Sequence, residues 1–139
     1  MTKVLVITLV HDFSGNGWDG NAYYCTPDKD NNNLITRDNL KNIFKYVDNA
    51  SVVIHCSSSY TNFDDTIADI PNVYVNKHRL NTKHGHSHLG SLLTSYKHAI
   101  DNKVEFDYVT INYSGQMFIK HGFNEYCKDY EYASRHLPT

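Results

Sequence analysis

Several familiar signatures are absent from this chain. Cysteine is scarce: Cys25, Cys56 and Cys127 are odd in number and far apart, which fits neither a disulfide-framed scaffold nor a CxxC zinc pattern. No apolar run approaches the roughly 18 to 20 residues of a bilayer-crossing helix. The N-terminus lacks the basic start, apolar stretch and small-residue cleavage site of a secretory signal. Neither sign of charge dominates, with 13 Lys and Arg against 15 Asp and Glu and a net charge of -2, so a broad nucleic-acid surface is not expected. Phosphate-cradling GxxxxGK[ST] and GxGxxG motifs are missing too. These absences lead us to expect a reduced compartment, the cytoplasm of the cell or of a host, with no membrane span and no nucleic-acid partner.

What remains is a globular composition: 139 residues, one domain's worth, with 40% apolar and 20% charged side chains. Aromatics reach 13%, with 11 Tyr, a residue often half-buried at ligand or partner surfaces. The richness in Asn, Lys and Tyr points to an AT-rich genome, viral or bacterial.

Lys3 to Val10 (KVLVITLV) reads as a strand buried on both faces, the parallel-sheet kind. His11 to Asn33 turns polar and carries Gly15, Gly17 and Gly20, a long loop. Thr36 is placed to cap a helix running through Asp48, with Leu40, Ile43, Phe44 and Val47 at helical spacing. Ser51 to Cys56 is a second buried strand, Asp64 to Asp69 a short helix, and Val73 to Val75 a brief strand. Ser87 opens the clearest helix, whose Leu89, Leu92, Leu93, Tyr96 and Ile100 form one stripe suited to packing on a sheet. Phe106 to Tyr113 is the next strand, Met117 to Ile119 an apolar stub, and Gly122 to Tyr132 a last helix. Alternating strands and helices predict a three-layer α/β fold, with a mostly parallel sheet and helices on both faces.

Ligands of open α/β sheets bind outside the carboxyl ends of the strands. Here those ends carry His11-Asp12, His55-Cys56-Ser57, the Asn76 to Lys83 segment and Ser114-Gly115-Gln116, small polar and basic groups suited to a phosphorylated or sugar-like ligand. His84, His86 and His88, with His78 nearby, are of a type that ligates zinc or copper. They open a helix, however, where i and i+2 diverge by about 200°, and solvated histidines are the expectation. Ser114-Gly115 lacks the GxSxG elbow. Adjacent His55 and Cys56 point to opposite faces of a strand, so Cys56 is read as a buried, inert thiol.

The stretch Asn72 to Gly122 carries a further pattern. Asn72-Val73-Tyr74-Val75, Arg79, Gly85, Ser87, the Leu92 to Ile100 helix, Phe106-Asp107-Tyr108 and Ser114-Gly115-Gln116 follow in fixed order, with Ile119-Lys120 after them. In order and spacing this resembles the core 2/I-branching β-1,6-N-acetylglucosaminyltransferases and the related xylosyltransferases, glycosyltransferase family 14. The resemblance covers half to two-thirds of the chain. It implies the nucleotide-binding half of a GT-A-like fold, residues 1–139 forming a single domain without the acceptor half. It also implies a UDP-sugar donor, a glycan acceptor, and a diphosphate neutralised by basic side chains in place of a metal ion. The donor-binding residues would be His11, Asp12, His55, Ser57, Arg79, Lys83, Ser114, Gly115, Gln116 and Lys120, with no metal or other cofactor.

Departures from the family pattern are concrete. Met117 stands where the family has Asp, Cys56-Ser57 follow His55 where an acid is common, and Gly90 replaces a helix Glu. The family's catalytic carboxylate lies in the half this chain lacks, so no catalytic residue is assigned here. The alternative reading is a non-catalytic structural or interaction module derived from such a fold, a viral or oligomeric assembly protein for example.

Overall fold

The computed structural model describes residues 2–10, 29–82, 87–113 and 116–129. β1 (Val4–Val10) is buried along its entire length, as a strand covered on both faces must be. It pairs in parallel with β2 (Ala50–Cys56) on one side and β4 (Tyr108–Tyr113) on the other, and β2 pairs in parallel with β3 (Val73–Val75). The sheet order is therefore β3-β2-β1-β4. The connections are α1 (Lys29–Tyr46), a 3-10 turn (Asp65–Asp69) and α2 (His88–Asp101), and α3 (Phe123–Lys128) follows β4.

Strand alternation divides the core into two layers. Val4, Val6, Val10, Val52, Ile54 and Cys56 pack with Leu40, Ile43 and Val47 of α1 and with Ile67 of the 3-10 turn. On the other face, Leu5, Ile7, Leu9 and Val53 pack with Ala99 of α2, and Leu92 lies against them. Burying each such aliphatic side chain contributes about 1.5–3 kcal/mol. Helices on both faces of a parallel sheet make this an α/β fold, as the alternating pattern predicts.

Two elements differ from expectation. α1 starts at Lys29, seven residues before Thr36, inside the segment expected to be loop. No apolar periodicity marks this start; long-range bonds hold it instead. Asn33 donates from Nδ2 to the carbonyl of Asn62 at 2.8 Å, and its Oδ1 accepts from the Tyr60 hydroxyl and the Asp64 N–H, both at 3.0 Å. Thr36 is consequently a buried residue within the helix.

The second difference is the orientation of α2. Its sheet-facing side is Ser91, Ser95 and Ala99, all buried, with Leu92 half-buried. Leu89, Leu93, Tyr96 and Ile100 point away, 69%, 60%, 44% and 50% exposed. Small side chains at i, i+4 and i+8 let the helix approach closely. The buried Asn76 after β3 then donates from Nδ2 to Thr94 Oγ1 and Ser95 Oγ, both at 3.1 Å.

After β4 the chain runs along α1 as an irregular segment. Asn39 donates to the carbonyl of Gln116 at 2.6 Å. Asn42 donates to the carbonyl of Phe118 at 2.9 Å and accepts from its N–H at 2.8 Å. Each amide supplies both a donor and an acceptor, which suits it to holding a chain that has no strand partner. Asn124 closes the run, accepting from the N–H of Asp48 at 3.0 Å and donating to the carbonyls of Asp48 at 2.7 Å and Thr2 at 3.2 Å.

Candidate ligand site at the carboxyl edge of the sheet

From β1 the chain steps outward to β2 and β3, then returns through α2 to β4 on the far side of β1. The winding direction thus reverses between β1 and β4, and the crevice outside their carboxyl ends is where such sheets hold ligands. In sequence, His11 follows directly on β1 and Ser114 on β4. His11, Asp12, Lys83, Ser114 and Gly115 lie outside the described residues.

The described candidates have intramolecular work. His55 is fully buried, and its Nε2 accepts from the N–H of Leu80 at 3.0 Å. An imidazole that accepts at Nε2 is neutral, its proton on Nδ1. Ser57, also fully buried, accepts from the N–H of Thr82 at 3.1 Å and of Ser59 at 3.4 Å, and shares a 2.8 Å hydrogen bond with the Ser59 hydroxyl. Arg79 donates from Nε to the carbonyl of Cys56 at 3.2 Å and from Nη2 to that of Ser57 at 2.7 Å and to that of Tyr60. Segments 55–60 and 79–82 are thereby stitched into one pad beyond β2. His55 and Ser57, named as donor contacts from the sequence, are thus buried beneath this pad and bonded to neighbouring backbone.

Arg79 keeps its charge at the rim. Carbonyl dipoles orient a guanidinium without neutralising it, and among the described residues no carboxylate pairs with it. Lys77, His78 and Arg79 are all exposed, and no acid occurs between residues 76 and 82. Gln116 turns inward: its Oε1 accepts from the N–H of Tyr113 at 3.2 Å, closing the end of β4. Lys120 lies farther along the same run. It sits beside His121, whose ring lies 4.9 Å from that of Tyr46 in the last turn of α1. The 116–121 run has by then travelled toward the amino edge of the sheet, so Lys120 does not join the rim.

Cys56 is fully buried, with its sulfur 3.4 Å from Arg79 Nη2, and burial pushes the Cys127 thiol above its ordinary pKa. His84 and His86 lie outside the described residues, and the His88 ring stands 6.1 Å from that of Tyr113. Among the described residues, no three His, Cys, Asp or Glu side chains are grouped to hold a metal ion. Nor is any described helix long and apolar enough to cross a membrane. At Gly90, a Cβ would come 2.9 Å from Cδ1 of Leu80, so the larger side chain of the family pattern would require Leu80 to move.

A separate depression, lined by Lys3, Ile100, Val104, Glu105, Phe106 and Asp107, opens at the amino end of the sheet. That is the end away from the crevice, and the Lys3–Glu105 ion pair lies on it.

Residues that sequence reasoning passed over include Asn39 and Asn112, joined by a 3.1 Å hydrogen bond, and Thr82. The signal available for them was the asparagine-rich composition, which says nothing about partners. The Thr8 hydroxyl, in register with Asn112, is buried without a hydrogen-bond partner among the described residues. No protein-family model, no curated protein and no solved structure matches this chain.

Proposed function

We propose that this chain binds the diphosphate of a nucleotide sugar at the carboxyl edge of its sheet, without a metal ion, as the donor half of a GT-A-like glycosyltransferase. The reversal of strand order between β1 and β4 carries this reading, since ligands of such sheets bind outside the carboxyl ends of the strands at that reversal. Supporting it is the positive charge of Lys77 and Arg79 after β3, with which no carboxylate pairs among the described residues. In this reading Arg79 acts by fixing the 56–60 segment and by its field at the rim, and His11, Asp12, Lys83, Ser114 and Gly115 are the residues to be tested for direct contact. Sugar transfer to a glycan acceptor requires a base within hydrogen-bond reach of the acceptor hydroxyl. Glu125 belongs to α3, which Asn124 ties to Asp48 and Thr2 at the opposite edge. The proposed activity is accordingly donor binding.

The test is thermal unfolding in the presence of a chelator, with UDP and with UDP-sugars. Ligand at 100 times its dissociation constant adds about 2.7 kcal/mol, a shift of several degrees for a chain of this size. No shift with any of these nucleotides at millimolar concentration overturns the reading.

The exposed apolar side of α2 favours a second reading, that of an interaction module. A stable self-assembled form that ignores every nucleotide supports that reading over the first.

A further inference from the structure

Among the described residues, the edge strand β4 has none of the usual defences against pairing. YVTINY, residues 108–113, contains no charged residue, no Pro and no Gly. Its register against β1 runs unbroken from Tyr108 to Tyr113, without a bulge. β4 is also the last strand of the sheet. Natural edges of this kind are normally blunted by Lys, Pro, a bulge or a covering element.

Beside this edge lies an apolar surface. Val109 and Ile111 share the α2-side face of the sheet with Leu5 and Ile7, their register partners, yet they are 43% and 48% exposed. α2 packs over β2 and β1, and its outward Leu89, Leu93, Tyr96 and Ile100 flank the uncovered part of β4. The Tyr96 ring meets that of Phe106, just before β4, with centroids 5.7 Å apart. These six aliphatic and aromatic side chains expose on the order of 500 Å², at the upper end for a lone soluble protein. With the backbone edge added, this approaches the ~800 Å² that each partner of a stable complex buries.

We propose that this face is the interface of a homodimer, in which two β4 strands pair antiparallel about a two-fold axis through Thr110. The backbone sets that register. The N–H of Tyr108 points inward to the carbonyl of Lys3, so by alternation Val109, Ile111 and Tyr113 point outward. Gln116 already occupies the N–H of Tyr113, which leaves Val109 and Ile111 as the outward-facing pair. Centring on Thr110 sets Val109 of one copy opposite Ile111 of the other, each exchanging N–H and C=O. It joins two four-stranded sheets into one of eight strands. Both α2 helices then lie on the same face, their Leu93, Tyr96 and Ile100 closing over the seam. Charge permits the pairing: Glu105 and Asp107 lie at the start of β4, and an antiparallel match brings them against the uncharged end of the other copy. The inference is independent of nucleotide binding.

Sedimentation equilibrium of the full chain checks it, with twice the monomer mass expected at micromolar concentration. Ile111→Lys and Tyr96→Lys should each yield monomers with an unchanged far-ultraviolet circular dichroism spectrum. Leu34→Lys, an exposed apolar site on α1, should remain dimeric. A monomeric wild-type chain overturns the proposal and leaves the face to a different partner. A dimer that survives both well-folded lysine variants overturns it equally, because the contact must then lie elsewhere.

Discussion

Asn39 of α1 and Asn112 of β4 are both buried and joined by a hydrogen bond of 3.1 Å, from Nδ2 of Asn112 to Oδ1 of Asn39. The Asn39 Nδ2 in turn donates a hydrogen bond to the carbonyl of Gln116 at 2.6 Å. This relay ties the helix, the last strand and the segment after it together at the carboxyl end of the sheet.

Asn39→Ala should therefore cost more than a surface polar change. It strands the buried Asn112 amide, a loss worth about 1–3 kcal/mol, and leaves the half-buried Gln116 carbonyl without this donor. Asn39→Asp should also destabilise, because a carboxylate can accept from Asn112 but cannot donate to Gln116. Urea midpoints of the two variants check this, and a shift as small as that of an exposed asparagine change would refute the relay.

Arg79→Lys should fail to rescue what Arg79→Ala loses. The guanidinium reaches the carbonyls of Cys56, Ser57 and Tyr60 from Nε and Nη2, and a single ammonium cannot span the same fork. We expect a loss of about 1–3 kcal/mol for Ala and most of that loss for Lys. Amide exchange of residues 57–60 should quicken in both variants. Exchange rates equal to wild type would show that the arginine does not hold this segment.

Asp64 should mark the acid limb of the stability curve. Hydrogen bonds from Thr66, then the one from Arg37 at 2.6 Å, hold its carboxyl down at about 2. A folded value below the unfolded one means that the carboxylate stabilises the fold above about pH 4. This contribution is lost as the pH falls toward 2. The side chain is 31% exposed, so screening limits the effect to about 1 kcal/mol. Asp64→Asn should lose this increment at neutral pH and show a flatter decline between pH 4 and pH 2, read from denaturant midpoints across that window.

Ser95→Leu should destabilise α2 although it raises both apolarity and helix propensity. Ser95 is fully buried against the sheet and accepts from Asn76 at 3.1 Å. The larger side chain overpacks the contact at about 1–3 kcal/mol and removes a partner of a buried amide. Leu93→Ser on the outward side, compared in the monomeric Ile111→Lys background, should leave stability nearly unchanged. If the two substitutions act alike in thermal unfolding, the orientation of α2 is wrong.

Strand positions were legible in advance because KVLVITLV and SVVIHC are short β-branched runs suited to a sheet covered on both faces, and FDYVTINY is rich in β-branched and aromatic residues. The early start of α1 was not legible, since Asn33 is held by Asn62, Tyr60 and Asp64, distant in sequence. Of the candidate rim, Arg79 was found by its charge. The backbone partners of His55 and Ser57 were not legible, because a polar residue at a strand end looks the same whether it meets a ligand or a neighbouring backbone.

The order of apolar runs and breaks by itself determined an α/β chain with four strands in sequence, for that pattern depends only on which side chains must leave water. Tertiary structure alone decided which side of α2 meets the sheet. A helix can bury its large stripe or its small one. Here Ser91, Ser95 and Ala99 win because close approach over the sheet, with Asn76 bonded to Ser95, outweighs the transfer of Leu89, Leu93, Tyr96 and Ile100 from water within a single chain.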